Sequence, residues 1–525
     1  MAPDAKKQPI AAHKQRSIAY TIAGTLILML AAGSLFLVAA QLSGFFKLDE
    51  ISYGDSAVLY NVRLFQKTGQ IYHDPSQPPY VPTVYSPLAY MIFALPQWNT
   101  LGNPFFWPRL AALAAFLLCV ATVVSIVRVL IPVRFAWLWG LLAATSIVPM
   151  SNWVLQLRCD FAAAFFGLAA IRLLLSRSRH AVLLAGVCAG IAPEFKVVYI
   201  AALAAGSCWL LLRKRVRDLF VFAAAGTLTS ACLYFLFWLR EPRMFAHILM
   251  FGSNVRDVAG CMSRILHAGN TLAVPLALIA LPRILRRAWP RWMLLLLYAG
   301  ISLAIAALAE FQPGANINYF FEGLLAIVPL SVFGVLQLLA WGRTRPILAV
   351  LLSSSIVILF LFEKPNAYVP LPESPSAVRS SNDLLRKTAG ALRGVHIFST
   401  VSRLALLDSE PALMEPFGFA YLRRIGKLNG QPVFDRIRAG EFDVLITAKA
   451  NTTYRGIHFV DRPFRAVISA AYKPYCTIAG NVFYLPLSRQ RDDGLIQRLD
   501  GIGCRPYASE DLSTPGSLRG MKPKS

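Results

Sequence analysis

Four groups of polar and ionisable residues stand at the ends of apolar runs, where their chemistry would be unusual. In FKLDEISYGDSAVLYNVRLFQKTGQIYHD, Asp49, Glu50 and Asp55 follow the apolar run 17–42, near Tyr53, Tyr60, Tyr72, Tyr80 and Tyr85. A carboxylate there could act as a general base at a membrane surface, beside aromatic faces that stack on a sugar or flank a lipid. A solvated loop with interfacial tyrosines is the plainer reading. Arg158 and Asp160 stand in LQLRCDFAAAFFGLAAIRLLL, and Glu194 and Lys196 in GIAPEFKVVYIAAL. Ionisable groups at membrane depth cost on the order of 3 kcal/mol each, so they pair, line a pathway or snorkel to the headgroups. Two basic residues on one side, Arg158 and Lys196, favour an anion site. Asn316, Asn318, Tyr319 and Glu322 open the run FQPGANINYFFEGLLAIVPL, where helix capping and a glutamate partnered by arginine would explain them structurally.

The elements that must position these groups are membrane spans. Apolar residues make up 56% of the chain, mean hydropathy is +0.53 and only 15% of residues are charged, below the roughly 25% of soluble domains. The net charge of +25 does not indicate nucleic acid, because Lys and Arg fall in short clusters between apolar runs. Runs at 17–42, 108–131, 133–150, 155–175, 180–196, 197–212, 217–239, 265–283, 291–309, 316–340 and 345–362 predict a polytopic α-helical membrane protein of about eleven spans. The first run is too long for a signal peptide and lacks an A-x-A site, so it is expected to be retained. The run 85–98, with Pro87 and Pro96, is expected to lie at the interface. Alternate loops are rich in Lys and Arg, which predicts a cytoplasmic N-terminus and an extracytoplasmic C-terminus.

From residue 363 the composition changes. Pro and Ser cluster in 363–376, a linker, and GVHIFST (394–400), FDVLITA (442–448) and NVFYLPL (481–487) read as strands, with helices at 381–393 and 432–440. These predict a soluble α/β domain over 377–505 and a disordered tail over 506–525. Of eight cysteines, Cys119, Cys159, Cys188, Cys208 and Cys232 lie in apolar runs and none shows metal-ligand spacing. Cys476 and Cys504 would be free to pair in an oxidising compartment.

The order of these stretches resembles the GT-C superfamily of polytopic glycosyltransferases that use polyprenyl-phosphate sugars. It is similar to the branch typified by Rgt-type lipopolysaccharide glycosyltransferases, with the protein O-mannosyltransferases and lipid A aminoarabinose transferases as relatives. YGDSAVLYNVRLFQKTGQIYHD with PPYVPTVYSPLAY looks like the family's acidic first loop and its Y-x-P-L-x-Y segment, which contains Tyr85. RLAALAAFL, from Arg109, resembles the start of its second span. LQLRCDFAAAFFGLAAI resembles R-P-D-x-x-A, GIAPEFKVVYIAAL resembles G-x-x-x-x-x-K, and GANINYFFEGLLA resembles N-Y-F-x-E. The sequence departs at Cys159, where proline is usual, at Ala192-Pro193-Glu194 before Lys196, and in having Asp rather than Glu at position 55.

The resemblance implies inverting sugar transfer from a polyprenyl-phosphate donor to an acceptor hydroxyl on the extracytoplasmic side of an inner membrane. Asp55 is its first choice of base and Asp49 its second. Glu50, Tyr85, Arg109, Arg158, Asp160, Lys196, Asn318, Tyr319 and Glu322 fall to substrate contact or site structure. The acceptor would be a glycolipid, a polysaccharide or a protein, and a divalent cation is left open. The competing class is a transporter or flippase for a lipid-linked or anionic solute, which would more often show internal repeats and charges at the midplane.

Overall fold

The computed structural model describes Gly24 and residues 43–94, 102–133, 136–145, 153–176, 178–251, 258–269, 271, 273–287, 290–312, 315–363, 374–401, 412–448, 453–454, 457–488 and 492–507. The expected first span apart from Gly24, most of the linker and residues 508–525 of the tail lie outside them.

The helical part begins with α1 (Asp55–Thr68) and α2 (Pro87–Phe93) in the first loop. It continues with α3 (Phe106–Leu130), α4 (Ala136–Thr145), α5 (Asp160–Leu174), α6 (Arg179–Ile191), α7 (Ala201–Leu212) and α8 (Val216–Arg240). Then come α9 (Met244–Met250), α10 (Val258–Gly269), α11 (Ala273–Arg287), α12 (Pro290–Ala309), α13 (Phe321–Thr344) and α14 (Pro346–Glu363). Helix α3 is apolar on every side and stops where Ile131, extended before Pro132, can no longer be helical. Helix α5 starts on Asp160 and has Arg172 in its last turn, so both charges complement its dipole.

Among the described residues, four segments are long and apolar enough to cross a membrane: Phe106–Leu130, Val216–Arg240, Pro290–Ala309 and Ile317–Gly342. The run expected as one span over 265–283 is instead two helices, α10 and α11, bent by 69°. Gly269 and Asn270 are weak helix formers, and the Thr271 hydroxyl turns back to the Ala268 carbonyl at 3.0 Å. The run 180–196 likewise stops early: α6 passes into a 3-10 turn at Ala192–Glu194, imposed by Pro193, so Lys196 lies in a turn before α7. Helix α2, only seven residues long, buries Pro87, Ala89, Tyr90 and Phe93 in the helical core.

That core is built mainly from α1, α3, α5, α7, α12 and α13. Helix α8 instead buries only Phe222 and Gly226. It meets α6 through small residues, in the manner of close-packed membrane helices. A Cβ on Gly190 would overlap the Gly226 carbonyl, and one on Gly186 would meet the Phe222 carbonyl at 2.5 Å.

Beyond α14 lies a six-stranded mixed sheet of order β2-β1-β3-β7-β6-β8. Its strands are β1 (Ile397–Ser399), β2 (Ala412–Leu413), β3 (Val444–Ala448), β6 (Tyr472–Ile478), β7 (Asn481–Pro486) and β8 (Arg505–Pro506). A separate hairpin pairs β4 (Thr453–Tyr454) with β5 (Ile457–His458). Strands β1, β2 and β3 run parallel, and the β3–β7, β7–β6 and β6–β8 pairs are antiparallel. Alternation along β3 divides the residues between two faces. Val444 and Ile446 pack with α15 (Pro375–Ala391) and α19 (Asp493–Gly501), whereas Leu445 packs with α16 (Pro416–Arg424), α17 (Gln431–Arg438) and α18 (Arg462–Ala471). The disulfide Cys476–Cys504, with Cα atoms 5.6 Å apart, ties β6 to the segment leading into β8. Pro506, expected to open a disordered tail, is therefore paired strand with Arg505, because the cross-link holds both against β6.

Two residues of the first loop belong to this C-terminal core: Leu48 on one face of the sheet and Tyr80 on the other. Gly190→Val should lower the thermal unfolding midpoint of the detergent-solubilised protein, because an overpacked helix contact typically costs about 1–3 kcal/mol. An unchanged midpoint would mean that α6 and α8 are not in backbone contact.

Candidate functional site

Arg109 organises the first loop. Fully buried, its Nη1 donates to the carbonyls of Gly44 (2.7 Å) and Lys47 (2.5 Å), and its Nη2 to that of Asp49 (2.6 Å). The guanidinium stacks over Phe105, 4.6 Å from the ring centroid. Asn103 Nδ2 adds bonds to the Phe45 and Lys47 carbonyls at 2.9 and 3.2 Å. From the opposite side, Asn382 on α15 accepts from Leu48 N (2.8 Å) and donates to the Phe46 carbonyl (2.7 Å). The segment entering Asp49 and Glu50 is thus clamped by both parts of the protein. Arg109 makes these bonds to backbone, so its role here is to shape the loop.

The three acidic residues of this loop occupy different environments. Asp55 is fully buried, with Oδ2 accepting from Ser52 N and Oδ1 from Leu157 N, both at 3.2 Å. Burial pushes its carboxyl up, and the Arg158 and Arg109 charges oppose that shift. Asp55 therefore ties the loop to the turn 153–158. Asp49 and Glu50 are only partly buried. Asp49 Oδ1 accepts from Glu50 N at 2.8 Å, and Glu50 Oε2 accepts from Ser56 N at 3.4 Å. Burial, then the neighbouring Asp55 and Asp49 charges, push the Glu50 carboxyl up to about 7. Gly54, at φ +90°, turns the chain into α1, and a Cβ there would come within 3.2 Å of the Arg158 guanidinium.

The cationic side faces this loop. Arg158 donates from Nη1 to the Tyr85 hydroxyl (2.8 Å) and from Nη2 to the Tyr53 carbonyl, and its guanidinium lies 6.0 Å from the Trp153 ring centroid. Asp160 is the neighbouring hub, with Oδ1 accepting from Lys196 Nζ (2.9 Å) and the Tyr199 hydroxyl (3.0 Å), and Oδ2 from Asn318 Nδ2 (2.9 Å). The Lys196 ammonium also sits 3.6 Å from the Tyr319 ring centroid. Both members of the ion pair are at most 10% exposed, which is tolerable because Asp160 also accepts from Tyr199 and Asn318. The pair joins the start of α5 to the turn before α7 and to the 3-10 turn Ile317–Phe320.

Tyr85, Arg158, Asp160, Lys196, Asn318 and Tyr319 therefore come together, adjoining Asp49, Glu50 and Asp55, with Arg109 behind the loop. Glu322 does not share these bonds. Its oxygens accept from the Tyr298 hydroxyl (2.9 Å) and Ser302 Oγ (3.1 Å), in place of the arginine that a purely structural reading would supply. Helix α12 supplies both hydroxyls, a pairing that the local sequence around Glu322 does not contain.

Three further residues complete the arrangement without having stood out as sequence candidates. Tyr199 lies one turn beyond Lys196, at a spacing that could have flagged it. Tyr53 was one aromatic among several in the loop. Glu415 comes from the C-terminal part: its carboxylate accepts from the Tyr53 hydroxyl and caps α16 at Phe417 N. Its only local signal is the Glu-Pro step that opens α16. Among the described residues, no group of three or more His, Cys, Asp or Glu is arranged to hold a metal ion.

This helical core, with ionisable groups gathered at one end, defines a class of membrane fold. The chain has a fold already seen in solved structures. Specifically, it is similar to ArnT from Cupriavidus metallidurans in the apo state, at TM-score 0.58 and 11% identity, covering 88% of this chain and 98% of that one. The same ArnT bound to undecaprenyl phosphate matches at TM-score 0.57 and 11% identity over the same shares, 88% and 98%. The Archaeoglobus fulgidus oligosaccharyltransferase tethered with an acceptor peptide matches at TM-score 0.41 and 10% identity over 89% of this chain and 75% of that one, too weakly to bear on the fold. No protein-family model and no curated protein matches the sequence. The fold and the apolar helices give the chain a membrane location.

The raised Glu50 carboxyl sets a pH dependence. The folded state keeps this proton while the unfolded chain releases it near the ordinary value of 4.5, so stability should fall as pH rises from there to about 7, then level off. Glu50→Gln should flatten this part of the unfolding-midpoint profile; an unaltered slope would show that Glu50 does not titrate in that window.

Proposed function

We propose that the protein is an inverting glycosyltransferase that moves a sugar from a polyprenyl-phosphate donor to an acceptor hydroxyl at the extracytoplasmic face of the membrane. The observation that carries the proposal is the meeting of partly buried carboxylates with Arg158 and Lys196 at one end of an ArnT-like helical fold. The bound undecaprenyl phosphate of ArnT supports a donor of that class here. The disulfide in the C-terminal α/β unit supports its extracytoplasmic location, and with it a cytoplasmic N-terminus and an inner-membrane protein of about eleven spans. Glycolipids such as lipopolysaccharide, polysaccharides and proteins are the acceptor classes, and a hexose or a pentose is the sugar.

In the reaction, a carboxylate removes the proton from the acceptor hydroxyl, whose oxygen attacks the anomeric carbon. The bond from that carbon to the phosphate oxygen breaks, and polyprenyl phosphate leaves with the electron pair. Arg158 is the main group available to stabilise its growing charge; losing one such donor typically costs about 3–4 kcal/mol. The base is drawn from Asp49 and Glu50, whose side chains are partly exposed and whose backbone is clamped. Asp55, first by motif, has both oxygens engaged by backbone N–H groups and serves best as the support of that pair.

The test is transfer by the purified protein from a panel of polyprenyl-phosphate sugars to a membrane glycolipid extract, followed by mass spectrometry. Asp49→Asn or Glu50→Gln should reduce transfer by about 10²–10⁴-fold without unfolding, the usual contribution of a general base. Asp55→Asn should lower activity together with the unfolding midpoint. Collapse in Asp55→Asn alone, at unchanged stability, would return the base to Asp55. Absence of both transfer and donor binding in wild type would overturn the enzyme reading in favour of transport.

A further inference from the structure

Tyr53 is held at three points, one from the helical part and two from the C-terminal unit. Its carbonyl receives Arg158 Nη2, its ring packs against Phe459 at 5.1 Å between centroids, and its hydroxyl donates to Glu415. Ser52 beside it donates to Asp55, and Gly54 follows in a conformation that favours glycine. Rotation of the Tyr53 backbone would therefore move the carbonyl that aims Arg158.

Glu415 is itself fixed. It is 8% exposed, its N–H donates to the Tyr80 carbonyl at 3.2 Å, and its carboxylate also receives Phe417 N at 3.2 Å and Gly418 N at 2.5 Å. Side chains are excluded at position 418, where a Cβ would collide with the Glu415 carboxylate and lie 2.6 Å from Pro82. Helix N-caps favour Ser, Thr, Asp and Asn. Capping alone would be served by aspartate; the extra methylene of glutamate is what reaches the Tyr53 hydroxyl. Phe417 N also donates to the Tyr53 hydroxyl at 3.1 Å, whereas two further ties between the parts bypass Tyr53. Lys427 Nζ donates to the Met250 carbonyl at 3.0 Å, and Arg436 Nη1 to the Tyr80 hydroxyl at 3.0 Å.

We infer that Glu415 is a positioning residue for glycosyl transfer: by holding the Tyr53 hydroxyl, it fixes the backbone carbonyl that orients Arg158 toward the donor phosphate. The inference rests on the reaction proposed above and adds that the C-terminal unit completes the catalytic site. Since Arg158 acts on charge that grows as the phosphate leaves, misaiming it should lower kcat more than it raises the donor KM.

The experiment is steady-state transfer by the full-length protein, comparing wild type with Glu415→Asp, Glu415→Gln, Tyr53→Phe and the Glu415→Asp/Tyr53→Phe double variant. Lys427→Ala serves as a docking control. Glu415→Asp and Tyr53→Phe should each lower kcat about 10–100-fold, with donor KM changed less than about threefold, since small misplacements of a catalytic group cost that much. The double variant should be no worse than either single one. Glu415→Gln keeps one acceptor oxygen for the Tyr53 hydroxyl but sets its amide NH2 against the Gly418 N–H, so it should retain more kcat than Glu415→Asp, while Lys427→Ala should stay near wild type. Unchanged kcat in Glu415→Asp, an additive double variant, an effect confined to KM or an equal loss in Lys427→Ala would each overturn the positioning role while leaving the enzyme reading intact. A wild type that transfers no sugar would overturn the enzyme reading first, and this role with it.

Discussion

A guanidinium buried behind the first loop is the constraint on which the site depends. Arg109 cannot leave its charge unsatisfied in an apolar core, and the chain answers by bending three carbonyls, those of Gly44, Lys47 and Asp49, onto one side chain. That bend gives Asp49 and Glu50 their backbone path. A lysine would not substitute: the planar fork serves several carbonyls at once, whereas an ammonium is a point charge on a flexible stem. With the loop bent, Asp55 starts α1 facing Leu157, and Gly54 leaves room for Arg158.

The C-terminal unit belongs to the same construction. Leu48 and Tyr80 lie in its two hydrophobic clusters, and Asn382 bonds both sides of the Leu48 peptide region. Stacking of Phe251 on Tyr421, 5.7 Å between centroids and 14° from parallel, continues the seam beyond the loop. Removing this unit would expose Leu48 and Tyr80 and release one side of the Asp49–Glu50 segment. The first loop is consequently stabilised by packing on two sides, a geometry suited to holding carboxylates still without enclosing them completely.

Much of this architecture was legible locally. The apolar runs at 108–131, 217–239 and 291–309 nearly coincide with α3, α8 and α12, because lipid-facing helices need little beyond length and apolarity. Arg158, Asp160 and Lys196 stood out because charge amid apolar sequence needs a partner. Partners distant in sequence were not legible. Tyr53 and Glu415 are 362 residues apart, and no periodicity in either segment announces their bond. The bend between α10 and α11 was hidden by apolar composition on both sides, although a Gly-Asn step stands at their junction in the sequence. The partners of Glu322 were not legible either, because the hydroxyls of Tyr298 and Ser302 belong to another helix and look ordinary in an apolar run.

The two cations of the site are not equivalent, and their partners indicate why. Lys196 is bonded to Asp160, a carboxylate that also takes a tyrosine hydroxyl and an asparagine amide. Drawing Lys196 onto the phosphate of the proposed donor would leave a buried carboxylate undercompensated, a change that typically costs about 3–5 kcal/mol when such a pair is broken. The hydrogen bonds of Arg158 go to neutral oxygens, the Tyr85 hydroxyl and the Tyr53 carbonyl. An anion could replace the Tyr85 hydroxyl at Arg158 without dissolving a bonded ion pair, while the Tyr53 carbonyl kept the guanidinium aimed. On this balance Lys196 and Asp160 form the fixed electrostatic floor, and Arg158 is the cation free to exchange a neutral partner for a charged one.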